Sequence, residues 1–177
     1  MDPILLGYFP KQLFAPPASL SARGVVEIGS VSLCMAAGPD GWLEAWKHND
    51  WGFFADPQTA WSLVPPDKRA DYRLYAYALY PVEYGKEAEE PLDLDAPEVL
   101  PLGPGFEHVG FDVVSRSVGS YFECSPLSCN MLVEAMVTNR FCLLASLEDA
   151  RELARSAEEK GCEPGPYYVL QVWRQRG

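Results

Sequence analysis

The sequence predicts an α+β protein made of two pseudo-symmetric β-α-β-α-β halves that share one mixed sheet and core. Three observations predict it. The first is an internal duplication at an offset of 90: residues 28–64 laid over 118–154 without a gap give nine identities in 37. They are Gly29/Gly119, Ser30/Ser120, Cys34/Cys124, Glu44/Glu134, Ala45/Ala135, Asn49/Asn139, Ala55/Ala145, Ala60/Ala150 and Leu63/Leu153. Ordinary composition gives roughly two by chance. The second is that helix starts and stops recur in step, Asp56-Pro57 against Ser146 and Asn49 against Asn139. The third is that each half closes on an aromatic, apolar strand pattern, at 72–82 and 167–174. A repeat lets one half act as a control on the other. What both halves keep serves the fold; where they differ, function has room to enter.

Residues 1–24 carry Pro3, Pro10, Pro16 and Pro17 and read as an irregular lead-in. Residues 25–34 read as a strand with a Gly29-Ser30 break, and Pro39-Asp40-Gly41 as a turn. Residues 42–47 form a short helix with Trp42, Ala45 and Trp46 on one side and Glu44 opposite. Asn49 ends it, because asparagine tolerates the left-handed conformation. Residues 51–55 are a short strand. Asp56 then caps a helix with Pro57 at its first position, and Pro65-Pro66 stops it. The near-continuous apolar run at 72–82 suits a strand covered on both faces.

The second half repeats this order, with strands at 111–124 and 141–145 and a helix at 130–137 closed by Asn139. Ser146 and Asp149 open the best helix in the chain. There Leu147, Ala150, Leu153, Ala154 and Ala157 make one stripe. Gly161 ends it, and 167–174 is the last strand. The domain plan is therefore 1–82 for the first half with its lead-in, 83–108 for a linker, and 109–177 for the second half. Together they make one domain. The linker holds Glu87, Glu89, Glu90, Asp93, Asp95 and Glu98 against Lys86 alone and reads as a solvated connection.

Composition bounds the function. The 177 residues are 48% hydrophobic and 12% aromatic, enough for an ordinary core. A net charge of −11 argues against nucleic acid, which demands a basic surface, and against anionic membranes. No run approaches the roughly 20 apolar residues of a span. The N-terminus lacks the basic region of a signal peptide, and five irregularly spaced cysteines fit reduced thiols in a cytoplasm.

Candidate chemistry is sparse. Cys124, Cys129, Cys142 and Cys162 lack the Cys-x2-Cys knuckle of a structural zinc site, so no metal and no cofactor are expected. Cys129 precedes a helix and is a weak candidate nucleophile, since a helix N-terminus lowers a thiol pKa. His48 and His108 are the only histidines and show no ligand spacing. Glu44 and Glu134 suggest paired carboxylates across a pseudo-twofold, although each sits on a solvated helix face. Trp42, Trp46 and Trp51 match Leu132, Met136 and Phe141 and are expected in the core. Trp61 matches Arg151, so it is expected to be partly exposed and to serve as an interface anchor.

These readings predict a non-enzymatic binding or inhibitor protein for a protein partner, acting through Trp61 and His48 with Glu44 and Glu134. The alternatives are a small-molecule sensor or carrier with its pocket between the halves, and a thiol-dependent enzyme using Cys129.

Overall fold

The structure, a computed structural model, describes residues 2–34, 37–85, 89–116, 121–122, 124–128, 132–162 and 164–177. It is an α+β protein with one five-stranded sheet and few helices. The strands are β1 (Ile4–Gln12), β2 (Tyr72–Tyr84), β3 (Glu89–Pro91), β4 (Phe106–Ser115) and β5 (Tyr167–Gln175). They run in the order β1-β2-β5-β4, with β3 pairing the end of β2. Every pairing is antiparallel, so the sheet is not the mixed one expected. No helix among the described residues is long and apolar enough to cross a membrane.

The two strands read most clearly from sequence, β2 and β5, are the central pair. Leu74 to Leu79 are buried without interruption, as a strand covered on both faces requires. Among the described residues three α-helices accompany the sheet: α1 (Ala18–Ser21), α2 (Pro57–Ser62) and α3 (Leu147–Ser156). The Asp56 carboxylate accepts from the Thr59 amide at 2.8 Å, and the Ser146 hydroxyl from the Asp149 amide at 3.1 Å. Both caps are thus as the sequence indicates. Ala150, Leu153, Ala154 and Ala157 are buried along the α3 stripe.

Elsewhere the structure corrects the reading. The irregular lead-in contains β1, disguised by Pro10 and Gly7; an edge strand tolerates a proline because one row of its amides is unpaired. Residues 25–34 are no strand. Glu27, Ser30 and Ser32 are buried polar residues there; the Glu27 and Ser30 side chains bond to the sheet, and the Ser32 carbonyl accepts from Lys11, in place of a ladder.

Residues 42–47 are a run of turns, and of 130–137 only a 3-10 helix at Leu132–Ala135 is described. The strands at 51–55 and 141–145 reduce to single bridges, Phe54 to Tyr8 and to His48, and Leu144 to Phe111. The 111–124 strand is β4, which starts earlier and ends at Ser115. Gly119, Ser120 and Cys129 lie outside the described residues. Neither half therefore shows the β-α-β-α-β order.

The linker is also more structured than expected. β2 runs on to Tyr84, β3 follows, and Leu92, Leu94, Val99 and Leu102 pack on the core. The Leu100 amide donates to Ala55 O at 2.9 Å, and the Tyr8 hydroxyl donates to Leu100 O at 2.9 Å.

Both edge strands carry the same local device. β1 bulges at Gly7 and β4 at Gly110, with φ of 138° and 141°. A Cβ there would lie 2.5 Å from Phe54 O and 2.7 Å from Leu144 O. Only glycine allows the backbone of 53–54 or 143–144 to close over the strand. Tyr8 and Phe54 then exchange two 2.9 Å bonds, as do Phe111 and Leu144.

Candidate functional site

The segment that the Gly7 bulge admits helps line an aromatic pocket of about 360 Å³. Phe9 enters from β1, and Val31 and Leu33 from the buried strap. Trp42, Leu43, Trp51, Gly52 and Phe53 come from the loop after it, and Tyr121 and Phe122 from the far side of the linker. The wall thus draws on chain from both sides of the linker, and no charged side chain among the described residues lines it. Phe9 meets Trp42 edge-on at 5.0 Å, and Trp51 stacks on Phe122 at 5.8 Å. The Arg116 guanidinium lies 3.9 Å above the Trp51 ring, a favourable place for a cation on an indole.

Gly52 keeps the pocket open. Its φ is 83°, and a Cβ would sit 2.7 Å from Tyr121 Cδ1. The residue 90 positions on is Cys142, also at positive φ, 55°. Cys142 is fully buried, donates its thiol to Leu127 O at 3.3 Å, and has its pKa pushed up to about 11 by that burial. Buried and protonated, this thiol is a packing group.

The pocket mouth is apolar. Leu33 and Leu43 are 41% and 39% exposed. Trp46, expected in the core, is 83% exposed and adopts φ 51°. Its counterpart Met136 is half-buried against the core, so the comparison misplaced this one tryptophan. Trp42 and Trp51 do pack on the core.

The residues expected to act divide between places. His48 is half-buried in a ring cluster, 5.3 Å from Trp42, 5.4 Å from Tyr121 and 6.1 Å from Trp46. Its Nδ1 faces Asn49 O at 3.0 Å, and its buried Nε2 has no hydrogen-bond partner among the described residues. Glu44 is exposed on the same loop, while Glu134 is exposed in the separate Leu132–Ala135 turn.

Trp61 lies elsewhere, half-buried, donating Nε1–H to Gln175 Oε1 at 3.1 Å with the Arg69 guanidinium 5.9 Å from its ring. It borders a separate cleft of about 200 Å³ with Tyr72, Arg73 and Arg176. Cys34 is exposed and Cys124 half-buried. No cluster of His, Cys, Asp or Glu among the described residues is placed to hold a metal.

Sequence reasoning missed Lys11 and Asp112, both fully buried beneath this pocket. The available signal was a charge set inside apolar strands, Tyr-Phe-Pro-Lys11 and Phe-Asp112-Val-Val. Set against family models, curated proteins and solved structures, the chain matches none of them.

Proposed function

We propose that this protein works by binding and not by catalysis, as an interaction or inhibitor protein for a protein partner in a reducing cytoplasm. The partner docks on the pocket mouth and the apolar rim of Leu33, Leu43 and Trp46. Trp46 carries the reading: a large apolar side chain, 83% exposed, held in a left-handed conformation. That conformation costs a non-glycine residue roughly 1–2 kcal/mol. Its ring meets that of His48 at 6.1 Å, and exposed tryptophan is a common interface anchor.

We read the two halves as products of one duplication, a view supported by the matched bulges and by the shared bonds of Asn49 and Asn139. On that view Gly52 opens in the first half what Cys142 fills in the second. The uncharged aromatic wall suits an apolar side chain of the partner. Asp40, Glu44 and Asp50 are exposed on the adjoining loop, and with the net charge of −11 they favour basic flanks on that partner.

Wild type and Trp46→Gly, immobilised at equal density, test this on host extract. The expected result is a partner retained by wild type and lost by the variant, with the variant's stability within about 1 kcal/mol of wild type. Equal retention by both removes the reading. A second reading, a carrier of a small apolar molecule, is favoured by the pocket volume, which falls within the usual ligand range.

A further inference from the structure

Beneath the pocket lies a buried polar cluster that joins its walls. The Asp112 carboxylate, on β4, accepts four bonds. Oδ2 takes the Ser30 hydroxyl and the Val31 amide, both at 2.8 Å. Oδ1 takes the Ser125 hydroxyl at 2.7 Å and the Val113 amide at 2.9 Å. One oxygen thus grips the strap that presents Val31 and Leu33. The other grips the segment that follows Tyr121 and Phe122. From β1, Lys11 donates Nζ–H to Ser30 O and to Ser32 O, the latter at 3.1 Å. Lys11 lies two residues from Phe9, so both project from the same face of the strand. Ser125 Oγ also receives the Leu127 amide at 3.1 Å, and Ser30 Oγ the Ser32 amide at 3.2 Å.

We propose that Asp112 and Lys11 form a clamp that positions three walls of the pocket together: the Phe9 strand, the 31–33 strap and the 121–122 segment. This rests on the reading of the pocket as the docking site. A plain hydrophobic core would hold these segments as firmly, since buried charged groups add little net stability over apolar packing. What the clamp adds is direction. A carboxylate with all its acceptor sites engaged fixes both donors' segments at one spacing, and removing it frees both at once. Asp112 and Lys11 also flank the pocket without lining it, so they set its width without meeting the partner.

Asp112→Asn keeps the shape but turns one oxygen into a donor facing a fixed amide. Amide hydrogen exchange is read at residues 30–33 and at Ser125, Leu127 and Ser128 in wild type, Asp112→Asn and Ser146→Ala. The last loses the α3 cap and serves as a general destabilisation control.

The expected result is exchange faster by roughly tenfold in both segments of Asp112→Asn, beyond any change in the control. Loosening of one segment alone, or loosening equal to the control, overturns the clamp. Should Asp112→Asn not fold, Ser125→Ala and Ser30→Ala each cut one arm, and each is expected to speed exchange on both sides. A change confined to the cut side overturns it.

The neutral probe N-phenyl-1-naphthylamine separates this from the docking reading. Fluorescence enhancement in wild type, weakened severalfold in Asp112→Asn, is expected. Coupled loosening without probe binding by wild type would keep the clamp and remove the pocket as a docking site.

Discussion

Asn49 and Asn139, 90 positions apart, make the same five hydrogen bonds. Each side-chain amide donates across to its edge strand, Asn49 to Leu6 O at 2.8 Å and Asn139 to Val109 O at 2.7 Å. Each carbonyl oxygen Oδ1 accepts two amides ahead of it, from Trp51 and Phe53 or from Phe141 and Leu143. Each backbone amide donates to the residue four ahead, Phe53 O or Leu143 O, and each backbone oxygen accepts from the third, Gly52 or Cys142. The residues donated to, Leu6 and Val109, immediately precede the bulge glycines. The asparagine and the bulge are therefore one device: the glycine lets the loop approach, and the asparagine pins it.

Asn49→Ala and Asn139→Ala are expected to cost on the order of 2–3 kcal/mol each, because each strands two amides and a carbonyl in a half-buried site. The two values should agree closely, since the bonds match. Denaturant unfolding of both variants reads this. A negligible loss at either position would mean that water replaces the clasp there.

Much of this was legible, and the asparagines show both the reach and the limit. Both asparagines stand out in the sequence by recurring at an offset of 90. A left-handed helix end does not describe them, because their bonds cross to strands distant in sequence and no spacing rule encodes these. Caps at Asp56 and Ser146 were legible because capping is local. The strap at 25–34 was not, since its place depends on Lys11, Asp112, Tyr75 and Arg174 reaching it from four strands. There the Tyr75 hydroxyl donates to Glu27, and Arg174 Nε donates to Glu27 Oε1 at 3.1 Å. Trp46 defeated the comparison because its counterpart Met136 packs on the core. A difference between halves appeared in which way the chain turns, not in residue type.

Gly52→Ala tests the pocket directly. The new Cβ would stand 2.7 Å from the Tyr121 ring at a φ of 83°. Strain of roughly 1 kcal/mol is expected from the backbone alone. Tyr121, which lines the pocket with Gly52, must shift, so binding of N-phenyl-1-naphthylamine should fall more than stability does. Full probe binding by the variant would show that the volume beside Gly52 is not used.

Trp61→Arg separates the two tryptophans. The second half has Arg151 at this position, yet Trp61 packs on the core and is tied to Gln175. The expected loss is about 1–3 kcal/mol, lower than for a fully buried tryptophan because the ring is only half covered. Partner capture by the folded variant should persist, in contrast to Trp46→Gly. Capture lost at unchanged stability would move the docking face to Trp61.

Lys11 gives the protein an unusual alkaline response. Burial lowers its pKa from 10.5 to about 8, against the opposing pull of Asp112 on β4 and Cys34 at the end of the strap. Between pH 8 and 10.5 the unfolded chain binds a proton here that the folded chain does not. Stability contributed by this group therefore rises with pH across that window. The neutral amine still has two N–H donors for Ser30 O and Ser32 O, so the clamp survives the loss of charge. Cys142 acts in the opposite sense, since its thiol stays protonated in the fold up to about 11, and its contribution falls with pH above 9. The Lys11 effect should thus be clearest between pH 8 and 9. Urea midpoints at pH 7.5, 8.0, 8.5 and 9.0 are expected to rise for wild type and to stay flat for Lys11→Met. A wild-type midpoint that falls across this range, or a rise kept in Lys11→Met, would assign the response to another group.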